Sequence, residues 1–120
     1  MSLVLVADDD PDIVALVRIR LERGGHEVIA ARDGEEAWEL VQQRVPDIAV
    51  LDVMMPRLDG LALTARLRAH APTAALPILV VSAAVQDTDR QAALDAGADA
   101  HVRKPFSPKA LAARVDELLG

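Results

Sequence analysis

The sequence has no cysteine and no tyrosine, one phenylalanine (Phe106) and one tryptophan (Trp38). Without cysteine, neither a disulfide framework nor thiolate chemistry is available, and the fold must rest on packing alone. With so few aromatics, Ala, Leu and Val must build the core, a composition that suits helices packed on a small aliphatic sheet. No apolar run approaches the ~20 residues of a membrane span, and Met1-Ser2 lacks the basic start of a secretory signal. The expected location is cytoplasmic. Positive charge is scarce as well: 13 Lys and Arg against 19 Asp and Glu give a net charge of −6. That balance argues against a sequence-independent grip on nucleic acid and against anionic membranes. Only two of the cations are lysines, Lys104 and Lys109. The 120 residues carry no internal linker or low-complexity tract; the expectation is one domain over residues 1–120, with no output domain in this chain.

What is present alternates. Leu3 to Ala7, Glu27 to Ala31, Ile48 to Leu51, Pro77 to Ser82 and Ala100 to Arg103 are short apolar runs that read as strands. Between them lie segments with helical periodicity. Asp10 caps and Pro11 opens the first, whose apolar stripe is Ile13, Val14, Val17 and Leu21, ended by Gly24-Gly25. Asp33-Gly34 leads into the second, with Ala37, Leu40 and Val41 on one side and Trp38 packing beside them, running to about Arg44. Asp59-Gly60 leads into the third, with Leu63, Leu67 and Ala71, and a loop rich in Ala, Pro and Thr follows. The fourth, about Asp87 to Ala96, has Leu94 as its only large apolar residue and should be easily displaced. Ser107 caps the last, with Leu111, Val115, Leu118 and Leu119 on its inner side. Five alternations of strand and helix predict an α/β three-layer sandwich around a parallel sheet. The periodicity does not set the strand order.

The strand ends carry the chemistry. In an open parallel sheet, function sits outside the carboxyl ends of the strands. The first strand ends in Asp8-Asp9, the third in Asp52 and the fourth in Ser82, while Lys104 follows the fifth. Each has a plain structural explanation, such as capping, a turn hydroxyl or a solvated surface. Together they place three carboxylates at one edge, where two charges ~4 Å apart at an effective dielectric of ~20 interact by ~4 kcal/mol. A hard divalent cation held by oxygens, with the Lys104 ammonium, relieves that repulsion and brings the site to neutrality.

The segments Val4-Leu-Val-Ala-Asp-Asp-Asp-Pro11, Asp52-Val-Met-Met-Pro-Arg-Leu-Asp-Gly60, Val80-Val-Ser-Ala83, Ala96-Gly-Ala-Asp99 and Lys104-Pro-Phe106 resemble the receiver domain of bacterial two-component response regulators, over essentially the whole chain. The resemblance implies a flavodoxin-like (βα)5 fold with strand order 2-1-3-4-5. It implies that Asp52 accepts a phosphoryl group from a phosphohistidine on a sensor histidine kinase or phosphotransfer protein. Mg²⁺, with Mn²⁺ as an alternative, would be held by Asp9, Asp52 and the backbone carbonyl of Met54, and by Asp8 through water. Lys104, Ser82 and the Ala83 backbone would bind the phosphoryl group, the Lys104-Pro105 peptide would be cis, and His101 stands at the position of the family's aromatic switch.

Some positions depart from the family pattern. Met54 and Ala84, two residues after Asp52 and Ser82, lack the polar groups that help orient a hydrolytic water, so slow loss of the phosphoryl group is expected. Asp99 and Arg114 are candidates for a charge pair across a homodimer, but Ala92 and Ala110 stand where another pair is expected; dimerisation stays open, and a different output partner is favoured. Three rival readings compete with this one. A flavodoxin-type cofactor domain is disfavoured because Asp8-Asp9-Asp10 would repel its phosphate. An Asp-nucleophile phosphatase needs a second Asp where Met54 stands. A receiver acting as a constitutive scaffold differs from a switch only in whether Asp52 is ever modified.

Overall fold

The structure of the chain, a computed structural model, describes residues 2–83 and 87–120, with the side chains of 87–89 left aside. The elements are β1 (Leu3–Ala7), α1 (Pro11–Arg23), β2 (Glu27–Ala31), α2 (Gly34–Gln43), β3 (Ile48–Asp52), α3 (Gly60–Ala69), a 3-10 turn (Ala71–Thr73), β4 (Ile78–Ser82), α4 (Asp87–Ala96), β5 (Ala100–Arg103) and α5 (Pro108–Leu119). All strand pairs are parallel, and the sheet order is β2-β1-β3-β4-β5, as the resemblance implied.

Alternation along the strands splits the core in two. Leu5, Ala49, Leu51, Ile78 and Val80 face α2, α3 and α4, where they meet Ala37, Val41, Leu63, Leu67 and Ala93. Val4, Val6, Ile48, Val50, Leu79 and Val81 face α1 and α5, where they meet Val17, Leu21, Leu111 and Val115. Because β1, β3 and β4 are buried along their whole length, their sequences read as unbroken apolar runs. The helices start where the polar residues allow. Asp10, Asp33, Asp59 and Ser107 each accept a backbone N–H from the first turn of the helix they precede.

Two details differ from the sequence reading, and a third falls where the structure gives no test. Ala71 lies beyond α3 in the exposed 3-10 turn, where the buried Thr73 bonds the Leu67 carbonyl at 2.6 Å. Periodicity extends a helix until a polar side chain offers the backbone another partner, and Thr73 does so here. In α4 the fully buried residue is Ala93, whereas Leu94 is half-buried. That helix sits close to the sheet on a small side chain, and it stays weakly anchored by apolar area. Ala84 lies outside the described residues.

Two glycines set the approach of the helices to the sheet. A methyl group on Gly34 would overlap the Leu58 carbonyl, and one on Gly60 would overlap the Asp52 carbonyl. The α3 N-terminus is thereby pressed directly onto the end of β3. Gly34→Ala is expected to lower unfolding stability by about 3 kcal/mol through forced backbone displacement. Gly25→Ala, at φ +89 but with open space around it, should cost about 1 kcal/mol. Urea denaturation of both variants checks the ranking, and equal losses would contradict the close approach at Gly34.

Candidate functional site

The order β2-β1-β3 puts the topological switch point between β1 and β3, and the carboxyl ends of those strands open into a common crevice. Asp8 and Asp9 follow β1, and Asp52 is the last residue of β3. One carboxylate oxygen from each of the three lies within 4.8 Å of the others. Asp8 and Asp52 are buried, with Asp52 only 4% exposed, and Asp9 is exposed at the rim.

Lys104 crosses the sheet edge to reach this cluster. Its Nζ lies 3.2 Å from Asp8 Oδ2 and 3.3 Å from Asp52 Oδ1. Its own backbone N–H donates to the Ser82 carbonyl at 2.8 Å, which fixes the exit of β5 beside the end of β4. The Lys104-Pro105 peptide is cis. The other oxygen of Asp8 accepts the Asp10 N–H at 2.9 Å. Both of its oxygens therefore have donors before α1 begins.

The electrostatics follow from this packing. Burial, then the neighbouring Asp8 carboxylate, push the Asp52 carboxyl above its ordinary value; Lys104 pulls in the opposite direction, and Asp9 adds a smaller upward push. Burial by itself would lower the Lys104 ammonium, but Asp52 and Asp8 outweigh it and the net displacement is upward. Three carboxylates and one ammonium leave an excess of negative charge. The donor set consists of hard oxygens. Among the described residues no donor bonds the Met54 carbonyl, whereas the Val53 carbonyl accepts from both Met55 and Gly60. These groups fit a hard divalent cation such as Mg²⁺ or Mn²⁺. Beside them, an open cleft of about 520 Å³ is lined by Asp9, Met54, Pro56 and Asp59, and Met54 is 74% exposed.

On the other side of Lys104, the buried Ser82 hydroxyl lies 2.8 Å from His101 Nε2. The register pairs Val80 with His101 and Ser82 with Arg103, so Ser82 and His101 are diagonal neighbours on the face toward α4. The half-buried ring of His101 thus already reaches Ser82. Ala83 follows at the surface, and its N–H has no acceptor among the described residues.

Within the chain, Asp99 and Arg114, the residues of the expected charge pair across a dimer, each have a partner of their own. Asp99 accepts Arg68 Nη2 at 2.9 Å and the Ile78 N–H at 2.8 Å, and Arg114 pairs with Glu117 at 2.8 Å. Arg68 is the residue that sequence reasoning missed. Its guanidinium also donates to the carbonyls of Gly97, at 2.9 Å, and Leu76, at 2.6 Å. It ties the C-terminal end of α4 to α3 and to the entry of β4, and only the Gly97 turn and the following Asp99 hinted at such a node.

Over nearly its whole length the chain is similar to known response regulators. The family model described as the response regulator receiver domain matches residues 4–116. The alkaline phosphatase synthesis transcriptional regulatory protein PhoP of Bacillus subtilis (strain 168) is 43% identical over 116 residues, 97% of this chain and 48% of PhoP. Response regulator GtcR of Aneurinibacillus migulanus is 40% identical over 97% of this chain and 47% of its own length. The chain therefore spans about half the length of these curated relatives. Among solved structures, the receiver domain of Francisella response regulator 1452 superposes with a TM-score of 0.92 at 35% identity, covering 99% of this chain and 97% of that one. Chemotaxis response regulator CheY4 of Vibrio cholerae gives 0.93 at 30% identity, covering 98% of each chain.

The raised carboxyl of Asp52 has a thermodynamic consequence. A group whose pKa is higher folded than unfolded adds stability below its ordinary value and loses that contribution as pH rises through the raised value. Asp52→Asn, without added metal, should therefore melt a few degrees higher than wild type at neutral pH, at about 4 °C per kcal/mol for a domain of this size. The gap should close as pH falls toward the ordinary carboxylate value of 3.8. Calorimetry across that pH range checks it, and a less stable variant at neutral pH would contradict the assignment.

Proposed function

Because this chain belongs to the response regulator receiver domain family, we propose that it is a phosphoacceptor switch in which Asp52 takes a phosphoryl group from a phosphohistidine. Receiver domains are the signalling switches of two-component systems, paired with histidine kinases, and bind Mg²⁺ at an acidic pocket. The observation that carries the reading for this chain is the buried Asp52 carboxylate, clustered with Asp8 and Asp9 and contacted by Lys104 at 3.3 Å. The donor would be a sensor histidine kinase or a phosphotransfer protein. A shallow apolar cleft of about 150 Å³, lined by Ile13, Leu16, Pro105 and Phe106, offers such a protein a foothold close to the acidic edge.

In this reading Asp9, Asp52 and the Met54 carbonyl hold the cation, with Asp8 acting through water. Bound there, Mg²⁺ supplies the positive charge that screens the nucleophile from the anionic phosphoryl group. Asp52 attacks phosphorus as an ionised carboxylate; an O–P bond forms, the P–N bond to the donor imidazole breaks, and its electron pair leaves with that nitrogen. Positioning and charge stabilisation carry this reaction, because phosphoryl transfer asks for little covalent help. Lys104 exchanges its contact with Asp52 for a phosphoryl oxygen. The Ala83 N–H and the Ser82 hydroxyl take others.

Ser82 links the site to the far face. A hydroxyl can donate to a phosphoryl oxygen and still accept from an imidazole, but not along its present direction for both. Drawing Ser82 toward the phosphoryl group therefore stretches or breaks its bond to His101, and the ring and the weakly buried α4 reposition together. The output surface in this reading is formed by α4, β5 and α5. Protonation of the His101 ring would tune the exchange, because it removes the ring's acceptor.

Intact mass after incubation with acetyl phosphate tests the acceptor. One phosphoryl adduct is expected with Mg²⁺, none with chelator and none in Asp52→Ala, and the adduct should outlast seconds because Met54 offers no group to orient water. An adduct surviving Asp52→Ala would misplace the site, while a folded protein with no adduct would favour the scaffold. Amide NMR tests the link: phosphorylation should shift resonances of α4 and β5 in wild type, and clearly less in His101→Ala. Identical shifts would remove His101 from the switch.

A further inference from the structure

Most cations of this acidic chain are already neutralised. Arg18, Arg32, Arg44, Arg57, Arg66, Arg68, Arg114 and Lys104 each have a carboxylate within 4.0 Å. Arg20, Arg23, Arg90, Arg103 and Lys109 have none among the described residues; Arg90 and Arg103 lie elsewhere, while Arg20, Arg23 and Lys109 line one cleft of about 380 Å³ between the C-terminal end of α1 and α5. Its floor is apolar, formed in part by Leu21 and Ala112. One acidic group, Asp116, stands in the wall, 2.8 Å from His26 Nε2.

A second observation falls at the same place. His26 Nδ1 is the one buried side-chain polar atom without a hydrogen-bond partner among the described residues. Buried polar atoms are nearly always satisfied, and an orphan calls for a missing donor or acceptor. His26 forms part of the cleft wall.

We propose that the α1–α5 cleft is a docking site for a carboxylate-rich segment of a partner protein, gripped by Arg20, Arg23 and Lys109. Arg20 and Arg23, three residues apart, are neighbours on the helix surface, and guanidinium groups take carboxylates in paired hydrogen bonds. Unpaired cations gathered at one concave spot of a chain with net charge −6 select an anionic partner. A short acidic segment fits better than nucleic acid. A continuous phosphate backbone needs basic surface well beyond the cleft, whereas side-chain carboxylates can be spaced to meet discrete cations. A small displacement of the His26 ring would let Nδ1 bond a backbone group of the segment. The cleft lies roughly 15 Å down α1 from Asp10, at ~1.5 Å per residue, and on the opposite face of the sheet from α4.

The probe is a synthetic glutamate-rich peptide of about a dozen residues, titrated into the ¹⁵N-labelled full chain at low salt, with a single-stranded oligonucleotide of similar charge and inorganic phosphate in parallel. The expected result is amide shifts confined to Arg20, Arg23, His26 and the facing stretch of α5. Affinity should fall roughly tenfold in the double variant Arg20→Glu/Arg23→Glu, whose amide spectrum also reports whether it is folded, and in Lys109→Glu. It should hold in Arg90→Glu, which alters an exposed cation outside the cleft. Shifts spread equally over Arg90 and Arg103, an equal loss in Arg90→Glu, or no shift at millimolar peptide would each overturn the proposal. Tighter binding of the oligonucleotide would overturn the partner class, and equal shifts with inorganic phosphate would reduce the site to a small-anion pocket.

Discussion

The structure depends on the placement of one ammonium group. Three carboxylates converge at the end of a buried sheet, and Lys104, arriving from the far edge across β4, is the cation among the described residues that sits between two of them. Burial makes ionised Asp52 unfavourable, and Asp8 worsens it. Lys104 offsets part of that strain and leaves a surplus of negative charge. A site in this condition attracts a hard divalent cation, because the cation neutralises that surplus. The surrounding features hold this arrangement in place: Asp52 ends the fully buried β3, Gly60 lets α3 press on its carbonyl, and the Lys104 amide is tied to Ser82.

The same edge is coupled to the surface on one side only. Ser82 and His101 connect it to the face carrying α4, a helix whose fully buried contact is an alanine. Arg68 holds the other end of that helix through Gly97 and Asp99. One end is pinned by a multidentate guanidinium, and the helix as a whole rests on little apolar area. That combination favours pivoting over translation, because turning about Gly97 keeps the strongest hydrogen bonds while giving up only weak packing. The opposite layer, α1 with α5, packs Val17 and Leu21 against Leu111 and Val115.

Several elements were legible in the sequence because local chemistry dictates them. Asp10-Pro11, Asp33-Gly34, Asp59-Gly60 and Ser107-Pro108 mark helix starts through caps that work within a few residues. Leu3–Ala7, Ile48–Asp52 and Ile78–Ser82 announce fully buried strands because both faces need apolar side chains. Where a more distant group competed, the pattern misled. Thr73 bonds the Leu67 carbonyl while Ala71 falls beyond α3, and Arg68 pairs with Asp99 from 31 positions away.

By itself, then, the sequence determined which residues end the strands, and so which chemical groups could share an edge, since burial patterns and caps are local properties. The resemblance carried by those residues supplied the strand order. Only the tertiary structure decided the distances: that Lys104 stands at hydrogen-bonding range from both Asp8 and Asp52, that His101 reaches Ser82, and that Arg20, Arg23 and Lys109 meet in one cleft. Such contacts join residues up to 96 positions apart. They are set by helix packing and strand register, which no local pattern encodes.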